Sequence, residues 1–119
     1  MSVIDEINAA NQAEDYEFAL RLCDEALEND GANASFLIGK GNALFGLKRR
    51  EEATAAYLAA AHADETDSLP WANLAGVYYD MRRLDDGLSA CAEALKRDAS
   101  NVNALIHQGN FFMLKNDFS

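Results

Sequence analysis

Laid against itself at a shift of 34 residues, this sequence keeps the chemistry of one column after another. Ala19, Ala53 and Gly87 coincide, as do Cys23, Tyr57 and Cys91, then Ala26, Ala60 and Ala94, then Asp30, Asp64 and Asp98. The same shift aligns Leu37, Trp71 and Leu105, then Gly41, Ala75 and Gly109, then Leu44, Tyr78 and Phe112. Small residues fall on small, acids on acids, bulky apolar residues on bulky apolar residues. The chain therefore reuses one structural unit, and a unit of this length cannot bury an apolar face alone. Its stability has to come from neighbouring units packed together.

Within each period the apolar and small residues recur at i, i+3, i+4 and i+7, the spacing of one helical face. Helices are predicted near residues 2–13, 16–29, 34–47, 50–63, 69–81, 84–97 and 102–115. A composition with a single proline and few glycines agrees with helix over sheet. The links are short, which makes successive helices antiparallel. They carry turn punctuation at Asn29-Asp30-Gly31 and at Ser68 ahead of Pro70, since a first helical turn tolerates proline. The expected fold class is all-α, an α-solenoid of antiparallel helix pairs. It forms a single domain over 1–119, with repeats at about 1–33, 34–67 and 68–101 and a half repeat at 102–119. Gly41, Ala75 and Gly109 on the first helix of a period, with Ala53 and Gly87 on the second, are expected to let backbones approach. Leu37, Trp71, Leu44 and Tyr78 would fill the space beside them. Asn116-Asp117-Phe118-Ser119 reads as the start of a turn after the seventh helix.

The stretch from Trp71 through Ala72-Asn73-Leu74-Ala75-Gly76-Val77-Tyr78-Tyr79, followed by Leu84-Asp85-Asp86-Gly87-Leu88, resembles the signature of the tetratricopeptide repeat. Gly41-Asn42-Ala43-Leu44-Phe45-Gly46-Leu47 with Glu51-Glu52-Ala53 is similar one period earlier, and Asp15-Tyr16-Glu17-Phe18-Ala19-Leu20 in the first. Three such matches in register cover nearly the whole chain. They imply three tetratricopeptide-like repeats plus one additional C-terminal helix. The sequence departs from the family pattern where Lys48 and Arg82 replace the glycine after the first helix, and where Arg50 opens a second helix.

Charge and composition restrict the partners. With 20 acidic and 10 basic side chains the formal net charge is −10, which repels a phosphate backbone, so nucleic acid is not an expected ligand. No stretch is apolar for the length of a membrane span, and the first residues lack a basic-then-apolar leader, so a cytoplasmic location without membrane insertion is expected. Cys23 and Cys91 sit two periods apart, too distant to pair, and read as small core hydrophobes. His62 and His107 have no second ligand at helical spacing, so no metal is expected. There is no nucleophile with a base and orienter, and no glycine-rich phosphate loop after a strand. The chain is read as a non-enzyme without a cofactor.

In this family the ligand lies against the first helix of each pair, so the resemblance implies a peptide or protein segment as partner. With Leu37, Gly41 and Leu44 taken by the core, the row one residue on comprises Ile38, Asn42 and Phe45. Its counterparts are Ile4, Asn8 and Asn11, then Ala72, Gly76 and Tyr79, then Ile106, Asn110 and Met113. An asparagine amide both donates and accepts, so amides spaced along an apolar row suit an extended peptide backbone. The expected peptide-binding set is Asn8, Ile38, Asn42, Phe45, Asn73, Tyr79, Ile106, Asn110 and Met113. Members of the co-chaperone subgroup hold a C-terminal carboxylate with basic residues around two asparagines. Asn42 and Asn73 match the amides, but Ile38, Asn103 and His107 replace the cations, so an acidic chaperone tail is not the expected ligand. The function implied is an adaptor or chaperone-like scaffold, and small acidic chaperones of bacterial secretion systems offer an analogy. The alternative is an assembly module, a homo-oligomer through Phe111, Phe112 and Leu114 on the last helix or a piece of a longer solenoid.

Overall fold

The computed structural model describes residues 1–117, and all seven helices predicted from the periodicity are present. They are α1 (Val3–Gln12), α2 (Tyr16–Asn29), α3 (Ala34–Gly46), α4 (Arg50–Ala63), α5 (Leu69–Asp80), α6 (Leu84–Arg97) and α7 (Val102–Asp117), with no strand among the described residues. Asn116 and Asp117, expected in a turn, continue α7; Phe118 and Ser119 lie outside the described residues.

The chain divides into two compact units, Met1–Asp64 and Glu65–Ser119. In the first, α1 packs on α2 and α3, α2 on α3, and α3 on α4. In the second, α5 packs on α6 and α7, and α6 on α7. The buried interior of unit 1 includes Ile7, Ala19, Cys23, Ala43, Leu44, Ala53, Tyr57 and Ala60, and that of unit 2 Leu74, Ala75, Val77, Gly87, Cys91, Ala94, Ala104 and Phe111. Ala19, Cys23, Leu44, Ala53, Tyr57, Ala60, Ala75, Gly87, Cys91 and Ala94 among them belong to the repeating columns, so the 34-residue register tracks much of the burial.

Punctuation repeats as faithfully as the core. Asn33 and Asn101 cap the helices that follow them, each side-chain oxygen accepting a backbone N–H, from Phe36 and from Ala104, at 3.0 Å. Asp67, in the same column, accepts from the Leu69 N–H at 2.9 Å. Ser2 and Asp5 form a reciprocal capping box at α1. The aspartates of the repeating acid column stand at the ends of α2, α4 and α6 in extended or irregular conformation and shape the next turn: Asp30 accepts from Asn33 Nδ2, and Asp98 from the Ser100 backbone and hydroxyl.

The turns between paired helices explain the missing glycines. Glu14, Lys48 and Arg82 all lie in the left-handed region, at φ 62, 63 and 60°. In each case the next residue's N–H bonds five residues back, Asp15 to Ala10, Arg49 to Leu44 and Arg83 to Tyr78, and the left-handed residue bonds three back. This is the Schellman arrangement built on non-glycine residues, and each costs about 1–2 kcal/mol of backbone strain.

Small residues act through aromatic rings more than through bare backbone. A Cβ added to Gly41 would stand 2.5 Å from the Tyr57 ring, one at Gly46 2.4 Å from Tyr16, and one at Gly87 2.0 Å from Phe111. The periodicity identified Gly41 and Gly87 but did not single out Gly46. Gly109 departs from expectation, because a Cβ there would meet nothing within 4 Å. Leu105, which shares a column with Leu37 and Trp71, is 47% exposed.

Candidate functional site

The expected ligand row of unit 1 runs along α1 and α3. Asn8 is exposed, and Ile38, Asn42 and Phe45 are half-buried, so each retains surface. Asn42 is also held from beneath: the buried Tyr57 hydroxyl of α4 donates a short hydrogen bond to its Oδ1. Burial raises the Tyr57 pKa well above the ordinary phenol value, so it remains a donor across the physiological range. A core tyrosine thus fixes the orientation of a surface amide. Asn11, in the same row, has a structural role instead. Its Nδ2 donates to the Gly39 carbonyl at 3.1 Å and ties α1 to α3 where Gly39 lies against Ile7 and Cys23.

The row of unit 2 runs along α5 and α7. Ile106 is 54% and Met113 67% exposed, with half-buried Asn110 between them. Tyr79 is half-buried, and its ring meets the Phe111 ring edge-to-face at a centroid distance of 5.5 Å, with the Arg82 guanidinium 5.4 Å from its own centroid. Tyr79 is consequently a rigid wall of the row. Ala72 is fully buried, and Gly76 leaves room for the His107 ring, whose Nε2 would lie 3.3 Å from an added Cβ. Burial holds His107 below the usual imidazole pKa, and its Nδ1 is buried without a hydrogen-bond partner among the described residues. Asn73 is half-buried on α5.

Phe111 is placed differently from the sequence expectation. It was read as part of an oligomer surface, but it is fully buried within unit 2 between Tyr79 and Gly87. The glycine at position 87 is the signal that could have found it, since a void of that depth on α6 requires a ring from a neighbouring helix. Phe112 is 50% exposed and Leu114 half-buried, so these two retain surface.

Cys23 and Cys91 are buried and free, with burial as the largest cause of thiol pKa values raised to about 12 and about 11. No group of three metal-ligating side chains occurs among the described residues, and no described helix is long and apolar enough to cross a membrane. In unit 1 a cleft lined by Leu20, Leu47 and the carboxylates of Glu17, Asp24, Glu25 and Glu28 also contains Arg21 and Arg49. Asp24 is bridged by Lys40 at 2.9 Å and Arg49 is paired with Glu52 at 2.7 Å, which leaves a solvated mixed-charge surface.

Neither a protein-family model nor a curated protein sequence matches the chain. Solved structures match it closely in shape. The tetratricopeptide-repeat domain of Sgt2 from Aspergillus fumigatus is 20% identical, with 97% of this chain and 78% of that one covered at a TM-score of 0.90. The second such domain of human RPAP3, solved with an HSP70 peptide, is 21% identical over 92% of both chains, TM-score 0.85. The Yersinia enterocolitica type III secretion chaperone SycD, solved with a peptide of the translocator YopD, is 15% identical over 95% of this chain and 92% of that one, TM-score 0.85. The fold of this chain is the tetratricopeptide-repeat fold.

Proposed function

We propose that the chain is a protein-interaction scaffold, adaptor or chaperone-like, that takes up a peptide or protein segment along the rows described above. Ile38, Asn42 and Phe45 with Asn8 form the contact surface of unit 1, and Asn73, Tyr79, Ile106, Asn110 and Met113 that of unit 2. The observation that carries this reading is the solvent exposure of Ile106 and Met113, 54% and 67%, on either side of an amide. Isolated apolar residues on a surface need no explanation, but an apolar row interleaved with amides matches what an extended peptide offers. Two of the structural relatives, human RPAP3 and SycD, were solved with peptides bound, which supports the same class of ligand here.

The ligand is expected to be apolar and without an acidic terminus. Ile38 and Asn103 bring no charge, and His107 is held toward its neutral form by burial, so a carboxylate would enter uncompensated on a chain of net charge −10. The proposed location is cytoplasmic. Self-association through α7 is the second reading, favoured by the exposure of Phe112. Light scattering over a dilution series checks it, and a monomer at every concentration removes it.

Selection from a random peptide library, followed by binding to an Ile106→Asp, Met113→Asp variant, tests the ligand row. Both side chains are exposed, so folding should survive. A loss of about tenfold or more in affinity is expected, and unchanged affinity would remove unit 2 from the site. The two substitutions avoid Asn42, whose replacement would strand the Tyr57 hydroxyl and confound binding with stability.

A further inference from the structure

At the last position of the ligand row, α3, α5 and α7 set Phe45, Tyr79 and Met113, one column at the 34-residue shift. Tyr79 keeps part of its surface although α6 and α7 both pack on its helix, so this column stays open inside a stack of helices. Phe45 is half-buried likewise, and Met113 is 67% exposed. The column is thus apolar and accessible in each case, but α7 fills it with a thioether where α3 and α5 use a ring. Ring and thioether both serve an apolar contact; they differ in what can be done to them afterwards.

A thioether takes an oxygen atom from a hydroperoxide to become a sulfoxide. The sulfur lone pair attacks the terminal peroxide oxygen, and the S–O bond forms as the O–O bond breaks. The proton on that oxygen passes to the departing alkoxide, which leaves as an alcohol, or as water when the oxidant is hydrogen peroxide. Sulfur gives up two electrons and the peroxide accepts them. The other sulfurs are less available or stand elsewhere. Cys23 and Cys91 are fully buried, and pKa values raised to about 12 and about 11 suppress the thiolate that would react. Met81 is half-buried at the end of α5. Met1 is exposed, but it lies in unit 1 ahead of α1 and is not part of the row.

We propose that Met113 is a reversible oxidation site, at which a hydroperoxide converts the thioether to the sulfoxide and weakens peptide uptake on the unit 2 row, an assignment that rests on reading that row as a peptide contact surface. Unmodified, Met113 is a flexible apolar side chain that adapts to what it touches. The sulfoxide oxygen is a strong hydrogen-bond acceptor, and an apolar ligand side chain laid on it strips its water without replacing the bond. The fold is indifferent to the change, because the side chain stands in solvent and not in the interior of unit 2. A bound peptide covers the sulfur and shields it from the oxidant, so occupancy and oxidation exclude each other at one atom.

The test treats the full chain with hydrogen peroxide, locates the oxidised residues by peptide mass spectrometry, and titrates a library-selected peptide before and after. Met113 should oxidise ahead of Met81, and more slowly with the peptide bound. Affinity should fall about tenfold, with thermal unfolding unchanged, and methionine sulfoxide reductases should restore it. Met113→Gln, which carries a polar group of similar length, should bind about tenfold more weakly than the parent without any oxidant. Met113→Leu keeps Met1 and Met81 and is compared only with itself: its affinity should be the same before and after peroxide. Full affinity in a parent oxidised completely at Met113 would overturn the assignment, as would an equal loss in Met113→Leu. Ile106→Asp separates the two readings. If it binds weakly while the oxidised parent binds fully, the row stands and the oxidation site falls; if neither change alters affinity, the unit 2 row is withdrawn as well.

Discussion

Replacing Gly87 by alanine sets two physical effects against each other in one substitution. In a helix interior the change normally adds about 1 kcal/mol, because alanine gives up less backbone entropy. Here the new Cβ would stand 2.0, 2.4 and 2.6 Å from three ring carbons of Phe111. Carbon atoms come to rest about 3.5–4.0 Å apart, so the ring tip must move by roughly 1.5 Å. Phe111 is fully buried and stacked edge-to-face on Tyr79, so its displacement disturbs two helices at once. Overpacking of this kind costs about 1–3 kcal/mol, and a shift of that size belongs at the upper end. The net expectation is a loss of about 2 kcal/mol once the helix-propensity gain of about 1 kcal/mol is included. The lone tryptophan, Trp71, lies in unit 2, so urea unfolding followed by its fluorescence and by far-ultraviolet circular dichroism reads the loss where it should occur. Gly109→Ala supplies the opposite sign, a gain of up to about 1 kcal/mol, because its Cβ meets nothing. A Gly87→Ala protein as stable as the parent would refute the packing described for α6 and α7.

Lys48→Gly and Arg82→Gly should each stabilise the chain by roughly 0.5–1 kcal/mol in thermal unfolding, as relief of left-handed strain exceeds the entropy glycine adds to the unfolded chain; a fall in stability would contradict the strain. Tyr57→Phe should cost about 1 kcal/mol by removing the donor to Asn42, measurable in the same titration. The folded-state pKa of His107 is depressed, so its neutral form stabilises the fold fully above the unfolded value near 6.5, and that contribution is lost as pH falls through the depressed value. Denaturation midpoints between about pH 7 and 5 should therefore fall more steeply for the parent than for His107→Gln. Cys23 and Cys91, with thiol pKa values of about 12 and about 11, should resist alkylation at neutral pH until the chain unfolds.

Much of this architecture was legible because the repeat registers burial. Cys23, Tyr57 and Cys91 read as one column, and all three are buried; the bounds of α2, α4 and α6 follow from where that column's periodicity starts and stops. Periodicity could not report the dual character of α7. Phe111 and Phe112 are adjacent and equally apolar, yet one is fully buried and the other 50% exposed, a difference set by the void at Gly87 on another helix. The candidate rows were legible as positions but not as states. Asn11 and Asn42 look alike in sequence, whereas the structure gives Asn11 to the backbone of Gly39 and Asn42 to the hydroxyl of Tyr57. Such bonds join residues 28 and 15 positions apart and leave no local signature. The left-handed turns at Lys48 and Arg82 looked like losses of glycine, but the backbone keeps the same turn and bears its cost.

Amide and methyl chemical-shift mapping of a library-selected peptide on the labelled chain reaches the proposed function most directly. We expect the largest shifts at Ile38, Asn42, Phe45, Tyr79, Ile106, Asn110 and Met113, and their disappearance at the unit 2 positions in the Ile106→Asp, Met113→Asp variant. Saturable shifts confined to the exposed faces of α2, α4 and α6, with those residues silent, would contradict it.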